Sequence, residues 1–257
     1  MPSLEAQPSG YVKLLLLGDS GTGKTGALAS LVKANLSLRV FDFDNKLAGG
    51  ILPILLSRDC PHLLKNVEYE VFRDNFKGSP IGPILDGAPQ AYTKALAFMD
   101  KWSDGSIPKK WGPDYVLVMD SLTFFSDSAF NWAKSLNPTA KDMRNTYFVA
   151  QQGVEKVIGI LTSAAFEAHV IVISHVDWEN RPDGTMKGYP SSVGKALGPT
   201  LPAYFENMAL CQTVAGKRTI RTAPTALVDL KNPAAFKMAQ EMPIETGLAT
   251  FFQTLRG

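Results

Sequence analysis

The stretch Gly18-Asp-Ser-Gly-Thr-Gly-Lys-Thr25 constrains this chain most, because it matches G-x-x-x-x-G-K-[ST] at every fixed position. The apolar run 11–17 before it is typical of a buried strand, and helix-forming residues follow from 24 to 32. In that setting the glycines let backbone N–H groups point at phosphate oxygens. Lys24 would reach the β- and γ-phosphates, and the Thr25 hydroxyl would bind Mg²⁺. The predicted phosphate-binding residues are Gly18, Asp19, Ser20, Gly21, Thr22, Gly23, Lys24, Thr25 and Gly26.

The same stretch contains a second glycine pattern. Gly21, Gly23 and Gly26 form G-x-G-x-x-G, and acidic residues follow about 20 residues later, as in dinucleotide-binding folds. Lys24 and Thr25 have no role in that alternative. The nucleoside-triphosphate interpretation therefore ranks above it.

Composition limits the class of protein. The 257 residues are 45% apolar and 19% charged, which indicates a globular chain with one sizeable core and excludes a disordered one. A net charge of only +2 excludes a generally basic DNA coat. We find neither an apolar run of membrane-spanning length nor a secretion signal, so we expect a cytoplasmic protein without membrane contact. Cys60 and Cys211 form no CxxC, which argues against a disulfide framework or a zinc site.

Strand and helix patterns alternate along the chain, which predicts an α/β fold with a mostly parallel sheet and helices on both faces. We expect a flexible tail over 1–10 and a single domain over 11–257. Three short strands with tight turns predict a C-terminal antiparallel hairpin extension. Residues 177–202 are rich in Gly, Pro and Ser, show no regular pattern, and are too long for an ordinary connection. The predicted strands are 11–17, 38–43, 67–72, 115–119, 170–173, 208–214, 218–222 and 225–230, and the later helices are 88–102, 148–165 and 248–255.

Three polar residues follow predicted strands, where ligands bind in α/β folds. Asp120 ends an apolar strand and is the predicted magnesium carboxylate opposite Thr25. Asp44 follows the second strand and would position or deprotonate the attacking water, although a turn-forming Asp-Asn pair is the alternative. His175 would lie near the γ-phosphate, or would make only local loop contacts.

The order of these motifs resembles the RecA-like core ATPases, and more closely the compact phage-encoded proteins of the Sak single-strand annealing type. The resemblance spans 11–255 and implies ATP hydrolysis with Mg²⁺. It makes Asp44 the water-activating residue, one methylene shorter than the usual Glu of the family, and places His175 where compact phage members also carry His. The matching segments are Gly18–Thr25, Asp42–Asp44, Val118–Asp120, Ile173–His175 and Gly194–Leu197 leading into Phe205.

RecA-like ATPases bind nucleotide between subunits, so the resemblance implies a homo-oligomer, either a ring or a filament. A basic finger from the neighbouring subunit would then reach the γ-phosphate. An alternative is that these side chains are solvated cations on an edge hairpin. The finger candidates are Lys231, Lys217, Arg218 and Arg221.

Two loops of that family face DNA, and they correspond here to 121–144 and 177–201. Their basic and aromatic side chains suit phosphate contact and base stacking on single-stranded DNA, whereas a mobile surface loop with incidental charges is the alternative. Residues 181–221 hold six basic and two acidic residues. A single-strand-binding protein is a further implied partner. The DNA-binding candidates are Arg144, Trp178, Arg181, Lys187, Tyr189 and Lys195.

The predicted function is a DNA-dependent ATPase that oligomerises on single-stranded DNA, promotes annealing or homologous recombination, and acts in a host cytoplasm if phage-encoded. A GTPase is unsupported because the Asn45-Lys46 pair lacks the N-K-x-D context. A small-molecule kinase is weaker, since the long segment after the fifth strand contains only Arg181 where a lid would be arginine-rich. A non-catalytic nucleotide-dependent loader or packaging partner is the other alternative.

Overall fold

The computed structural model describes residues 10–139 and 141–256, so the predicted tail lies, except for Gly10, outside the described residues. Within this part, the strands numbered in chain order are β1 Lys13–Leu17, β2 Ser37–Asp42, β3 Val67–Val71, β4 Phe76–Lys77, β5 Ile84–Leu85, β6 Gly112–Asp120, β7 Ala168–Ser174, β8 Val176–Asn180, β9 Met186–Pro190, β10 Asn207–Val214, β11 Lys217–Arg221 and β12 Glu241–Pro243. The α-helices are α1 Lys24–Lys33, α2 Ile51–Asp59, α3 Ala91–Asp100, α4 Leu122–Leu136, α5 Arg144–Thr162, α6 Gly194–Leu197 and α7 Gly247–Arg256. No described helix has the length and apolarity needed to cross a membrane.

Eight strands form the main sheet in the order β12-β11-β10-β1-β7-β6-β2-β3. The strands from β10 to β3 run parallel to one another, whereas β11 and β12 are antiparallel. The predicted α/β class, with its parallel sheet and antiparallel C-terminal extension, is therefore confirmed. Because β1 lies between β7 and β10, the segment that follows β1 is flanked by the ends of both.

Both faces of the sheet are covered, because alternate side chains of a strand point to opposite faces. Leu15 and Leu17 of β1 belong to the core beneath α3, α4 and α5. Leu14 and Leu16 belong to the second core, formed with α1, α2 and α7. The apolar run of β1 is thus buried on both sides, as its lack of alternation predicts.

The prediction of a strand at 225–230 is wrong. This segment is irregular, and the third antiparallel strand is β12 instead. The hydroxyl of Thr225 accepts hydrogen bonds from the N–H groups of Leu227 and Val228, at 3.2 and 2.9 Å, which closes a local turn. Side-chain bonds of this kind compete with strand pairing.

The segment 177–202 is more regular than its composition indicates. It contains most of the antiparallel hairpin β8–β9, which we call the Trp178 hairpin (residues 176–190), followed by α6. Gly188 permits its close packing, since a Cβ atom there would lie 2.6 Å from Cγ1 of Val176 and 2.9 Å from Cζ3 of Trp178. The hairpin follows β7 and its terminal Ser174 after a single residue, so its base lies at the edge of the sheet where β1 also ends.

Candidate functional site

The segment between β1 and α1 forms a tight loop. Gly21 and Gly23 have φ angles of +81° and +94°, a left-handed backbone that residues with a Cβ rarely adopt. The ammonium group of Lys24 folds back and donates to the carbonyl oxygens of Gly18, at 2.7 Å, and Asp19, at 2.9 Å. These are the contacts that a phosphate group would replace, because the lysine has three donors and no acceptor.

Burial lowers the pKa of Lys24, while the nearby carboxylates of Asp120 and Asp44 oppose that shift. Lys24 is only 7% exposed. A cation with so little access to water is stabilised by anionic neighbours. At this site the carboxylates of Asp120 and Asp44 supply those charges.

Thr25 and Asp120 meet across the loop, as predicted for a magnesium site. The Thr25 hydroxyl donates to Oδ2 of Asp120 at 2.7 Å, although Asp120 lies on β6 and β7 separates that strand from β1. Burial raises the pKa of Asp120 to about 7, and the charges of Asp44 and Asp42 add to the shift. A hydroxyl and a carboxylate are hard oxygen donors, and Mg²⁺ is usually bound by one or two such groups together with substrate phosphates. The pair therefore fits Mg²⁺, which when bound would neutralise phosphate charge.

The two aspartates after β2 have different surroundings. Asp42 is buried, and its carboxylate accepts hydrogen bonds from the backbone N–H groups of Lys46, at 3.3 Å, and Leu47, at 2.9 Å. Asp44 is half-buried, and its Oδ1 accepts a hydrogen bond from the Ser121 hydroxyl at 2.8 Å. Asp42 thus holds the turn after β2, whereas Asp44 lies beside the residue that follows Asp120.

The ring of His175 also lies next to the ammonium group of Lys24. Its Nδ1 is 3.4 Å from the lysine ammonium, and its backbone N–H donates to the Thr123 hydroxyl at 3.3 Å. Burial lowers the pKa of His175, and the charge of Lys24 lowers it further. The neutral ring can then accept a hydrogen bond from the ammonium. The predicted residues that the structure brings together are Lys24, Thr25, Asp44, Asp120 and His175.

One contact was not predicted from the sequence. The indole N–H of Trp178, at the base of the Trp178 hairpin, donates to Oδ1 of Asp19 at 3.1 Å. A member of the predicted DNA-binding set therefore touches the phosphate loop of its own chain. No local signal in the sequence connects two residues so far apart.

The other DNA-binding candidates differ in how accessible they are. The Arg181 guanidinium donates to the Tyr189 hydroxyl at 3.3 Å on the hairpin surface, and Lys195 is exposed on α6. Lys187 is only 7% exposed, and its ammonium pairs with Asp229 at 2.5 Å. Its ammonium group is thus largely covered and already paired with a carboxylate. Arg144 begins α5, is highly exposed, and pairs with Asp142 at 2.7 Å.

The four finger candidates also occupy different environments. The Lys231 ammonium donates to the carbonyl oxygens of Pro202, at 2.6 Å, and Phe205, at 3.1 Å, and so ties two segments of the same chain together. Arg221 donates to the Ala223 carbonyl oxygen at 3.1 Å. Lys217 and Arg218 are exposed on β11.

Fold and site together define a phosphate-loop ATPase core, with a glycine-rich loop between a buried strand and a helix and a carboxylate facing its threonine hydroxyl. Residues 11–234 match the family described as the AAA domain, and the chain belongs to this family. The family is one of P-loop ATPases, so the loop is a nucleotide-binding loop.

Solved structures with a similar chain course include the RadB recombinase, at 16% identity and a TM-score of 0.46, with 86% of each chain covered. An ATPase from the type III secretion system of pathogenic bacteria has 14% identity and a TM-score of 0.42, covering 79% of this chain and 51% of its own. The ATP synthase subunit NeqB from Nanoarcheaum equitans has 9% identity and a TM-score of 0.41, covering 78% and 45%. No curated protein matches the chain in sequence.

Proposed function

We propose that this chain hydrolyses ATP with Mg²⁺ as a homo-oligomer on single-stranded DNA, and that it promotes annealing or homologous recombination in the manner of the phage-encoded Sak type. The observation that carries the DNA-linked part is the hydrogen bond between Trp178 and Asp19. It links the surface that would bind DNA to the loop that binds nucleotide.

Each residue of the site has a separate role in ATP hydrolysis. Lys24 would exchange the carbonyl oxygens of Gly18 and Asp19 for phosphate oxygens, and Thr25 and Asp120 would hold the metal ion. Asp44, held by the Ser121 hydroxyl, orients the attacking water and accepts its proton. His175 contacts Lys24 and is therefore placed to respond to the terminal phosphate.

The Trp178 hairpin and the segment after it supply the DNA surface. Arg181 and Lys195 are exposed cations for the phosphate backbone, and Trp178 and Tyr189 are aromatic side chains suited to base stacking. The excess of basic residues over 181–221 supports the same placement. Binding of nucleotide and binding of DNA would influence one another through the base of the hairpin, because Trp178 is part of the proposed DNA surface and also contacts Asp19 of the nucleotide-binding loop.

Phosphate release measured with and without single-stranded DNA tests the proposal. We expect turnover to rise with oligonucleotide length, and Lys24→Ala to abolish turnover while the far-UV circular dichroism spectrum stays that of the wild type. Unchanged turnover in Lys24→Ala would remove the site assignment. Turnover that is flat across oligonucleotide lengths would instead contradict the DNA-dependent part.

Size-exclusion chromatography with ATP separates the proposal from its alternatives. Assembly on addition of ATP is expected here because the finger must come from a neighbouring subunit. A monomer that transfers phosphate to a metabolite would indicate a kinase. Tight ATP binding with negligible phosphate release and a protein partner would indicate a loader.

A further inference from the structure

An open cleft of about 680 Å³ lies beside the phosphate loop, within the size range of small-molecule sites. It is formed between the loop and the strands β10, β11 and β12. Because the sheet order places β10 on one side of β1 and β7 and β6 on the other, the cleft lies away from Asp120 and His175. Its lining includes Gly21, Thr213, Lys217, Arg218, Glu241 and Glu245.

The wall of this cleft packs directly on the nucleotide-binding loop of the same chain. A Cβ atom at Gly23 would lie 3.1 Å from Cδ of Arg218, so the glycine allows the arginine stem to approach. The carbonyl oxygen of Arg218 accepts a hydrogen bond from the Ile244 N–H at 3.3 Å. β10 also continues to Val214, beyond Leu210, which pairs with the last residue of β1. The hairpin β10–β11 thus overhangs the loop.

The cleft has both cationic and acceptor groups. In the described part of the chain, no carboxylate oxygen lies within 4.0 Å of the charged nitrogens of Lys217 or Arg218. Glu245, which follows β12, is exposed and also lines the cleft. A guanidinium group stacks on planar rings, and a carboxylate accepts hydrogen bonds from hydroxyl groups.

The position of the metal-binding pair sets the direction of a bound nucleotide. Thr25 and Asp120 meet on the β7 side of the loop, together with His175, and this is where the terminal phosphates belong. A nucleotide with its last phosphates there extends its nucleoside toward the β10 side. That side contains the cleft.

We propose that the cleft binds the ribose and base of the nucleotide held by its own phosphate loop, with Arg218 packed against the base and Glu245 accepting hydrogen bonds from the ribose hydroxyls. The inference rests on the proposed ATP site and extends it. It assigns Arg218 to the nucleotide of its own subunit, whereas sequence reasoning placed it among the fingers for a neighbouring one.

Calorimetric titration of the full chain with ATP and with inorganic tripolyphosphate, each with Mg²⁺, tests the proposal. Tripolyphosphate presents the phosphates without the nucleoside. We expect Arg218→Ala to weaken ATP binding about tenfold, as the loss of one stacked guanidinium implies. Tripolyphosphate binding should stay unchanged, which also shows that the variant is folded around its loop. The proposal would be overturned if Arg218→Ala weakened the binding of ATP and of tripolyphosphate equally, or if it weakened the binding of neither.

Two further variants sharpen the test. Arg218→Lys keeps the charge but loses the planar group, so its loss of ATP affinity should be nearly as large as that of Arg218→Ala. Wild-type ATP affinity in Arg218→Lys would contradict base stacking. The matched control is Lys237→Ala, an exposed cation of the C-terminal segment outside the cleft, and it should leave both affinities unchanged.

The wild-type affinities distinguish a failure of the ATP site from a failure of the nucleoside cleft. A wild-type chain that binds neither ligand would contradict the ATP site itself. Equal affinity for tripolyphosphate and ATP would overturn only the nucleoside cleft. In mixtures of Arg218→Ala with Lys24→Ala subunits, turnover should keep the weakened apparent ATP affinity of Arg218→Ala alone; wild-type affinity in the mixture would show that Arg218 acts on a neighbouring subunit and would also overturn the inference.

Discussion

The indole N–H of Trp178 donates a hydrogen bond to the carboxylate of Asp19 over 3.1 Å, and this bond joins the base of the Trp178 hairpin to the nucleotide-binding loop. The backbone carbonyl oxygen of Asp19 also accepts a hydrogen bond from the Lys24 ammonium group. A phosphate group that draws Lys24 away therefore changes the surroundings of the residue that holds Trp178. The relationship provides a physical route by which nucleotide and hairpin affect each other.

Trp178→Phe tests this route, because it removes the indole N–H and keeps an aromatic ring. We expect basal turnover and DNA binding to persist, while stimulation of turnover by single-stranded DNA falls about fivefold, the low end of typical coupling energies. Phosphate release with and without a long oligonucleotide measures the effect. Trp178→Ala should in addition weaken DNA binding. Stimulation that is unchanged in Trp178→Phe would show that the hydrogen bond carries no coupling.

The two aspartates after β2 should separate catalysis from stability. Asp44→Asn is expected to lower single-turnover hydrolysis roughly 100-fold, in the range of a lost general base, and to leave the free energy of unfolding unchanged. Asp42→Asn should instead cost about 1–3 kcal/mol of stability, because its buried carboxylate accepts two backbone N–H groups. Urea unfolding and rapid-quench hydrolysis measure the two quantities. The reverse pattern would mean that Asp42 is the catalytic residue.

Arg181 and Lys187 form a matched pair for DNA binding, since both belong to the Trp178 hairpin segment but only Arg181 is exposed. Arg181→Ala should weaken single-stranded DNA binding and lower the slope of log affinity against log salt by about 0.7, the value for one phosphate contact on a single strand. Lys187→Ala should leave that slope unchanged and lower stability, because it removes the packing of a buried side chain. Fluorescence anisotropy across a salt series gives the slopes. Equal slopes in wild type and Arg181→Ala would exclude this contact.

His169 should make the fold sensitive to acid. The Val12 N–H donates to its Nδ1 at 2.8 Å, and its Nε2 lies 3.0 Å from the Pro113 carbonyl oxygen, which fits the neutral ring. Burial, and the charge of Arg256, lower the pKa of His169 to about 4. The unfolded chain, with a histidine pKa of about 6.5, binds this proton first, so stability is full above pH 6.5 and is lost as the pH falls toward 4.

The size of this effect follows from the two pKa values. Between pH 7 and pH 5 the free energy of unfolding should fall by about 2 kcal/mol through this residue. Urea unfolding of the wild type and of His169→Gln at both pH values isolates that share. A variant with the same pH dependence as the wild type would assign the acid sensitivity to other groups.

Local patterns predicted most of the regular structure. The run before Gly18 is buried on both faces, as its unbroken apolar character requires, and residues 24–33 form the expected helix. Local patterns failed where side chains compete with backbone pairing, as Thr225 does in the segment predicted to be a strand. They also failed at 177–202, where Gly188 marks close packing inside a hairpin and not an irregular chain.

The sequence by itself determined the phosphate loop, the parallel sheet around it and the polar residues at the strand ends, because these depend on spacing within a few residues. Only the tertiary structure decided which distant groups meet. Trp178 reaches Asp19 because β7, which precedes the hairpin, pairs with β1. Arg218 lies beside Gly23 because β10 pairs with the other edge of β1. Strand order is set by packing across the whole core, and no short stretch of sequence encodes it.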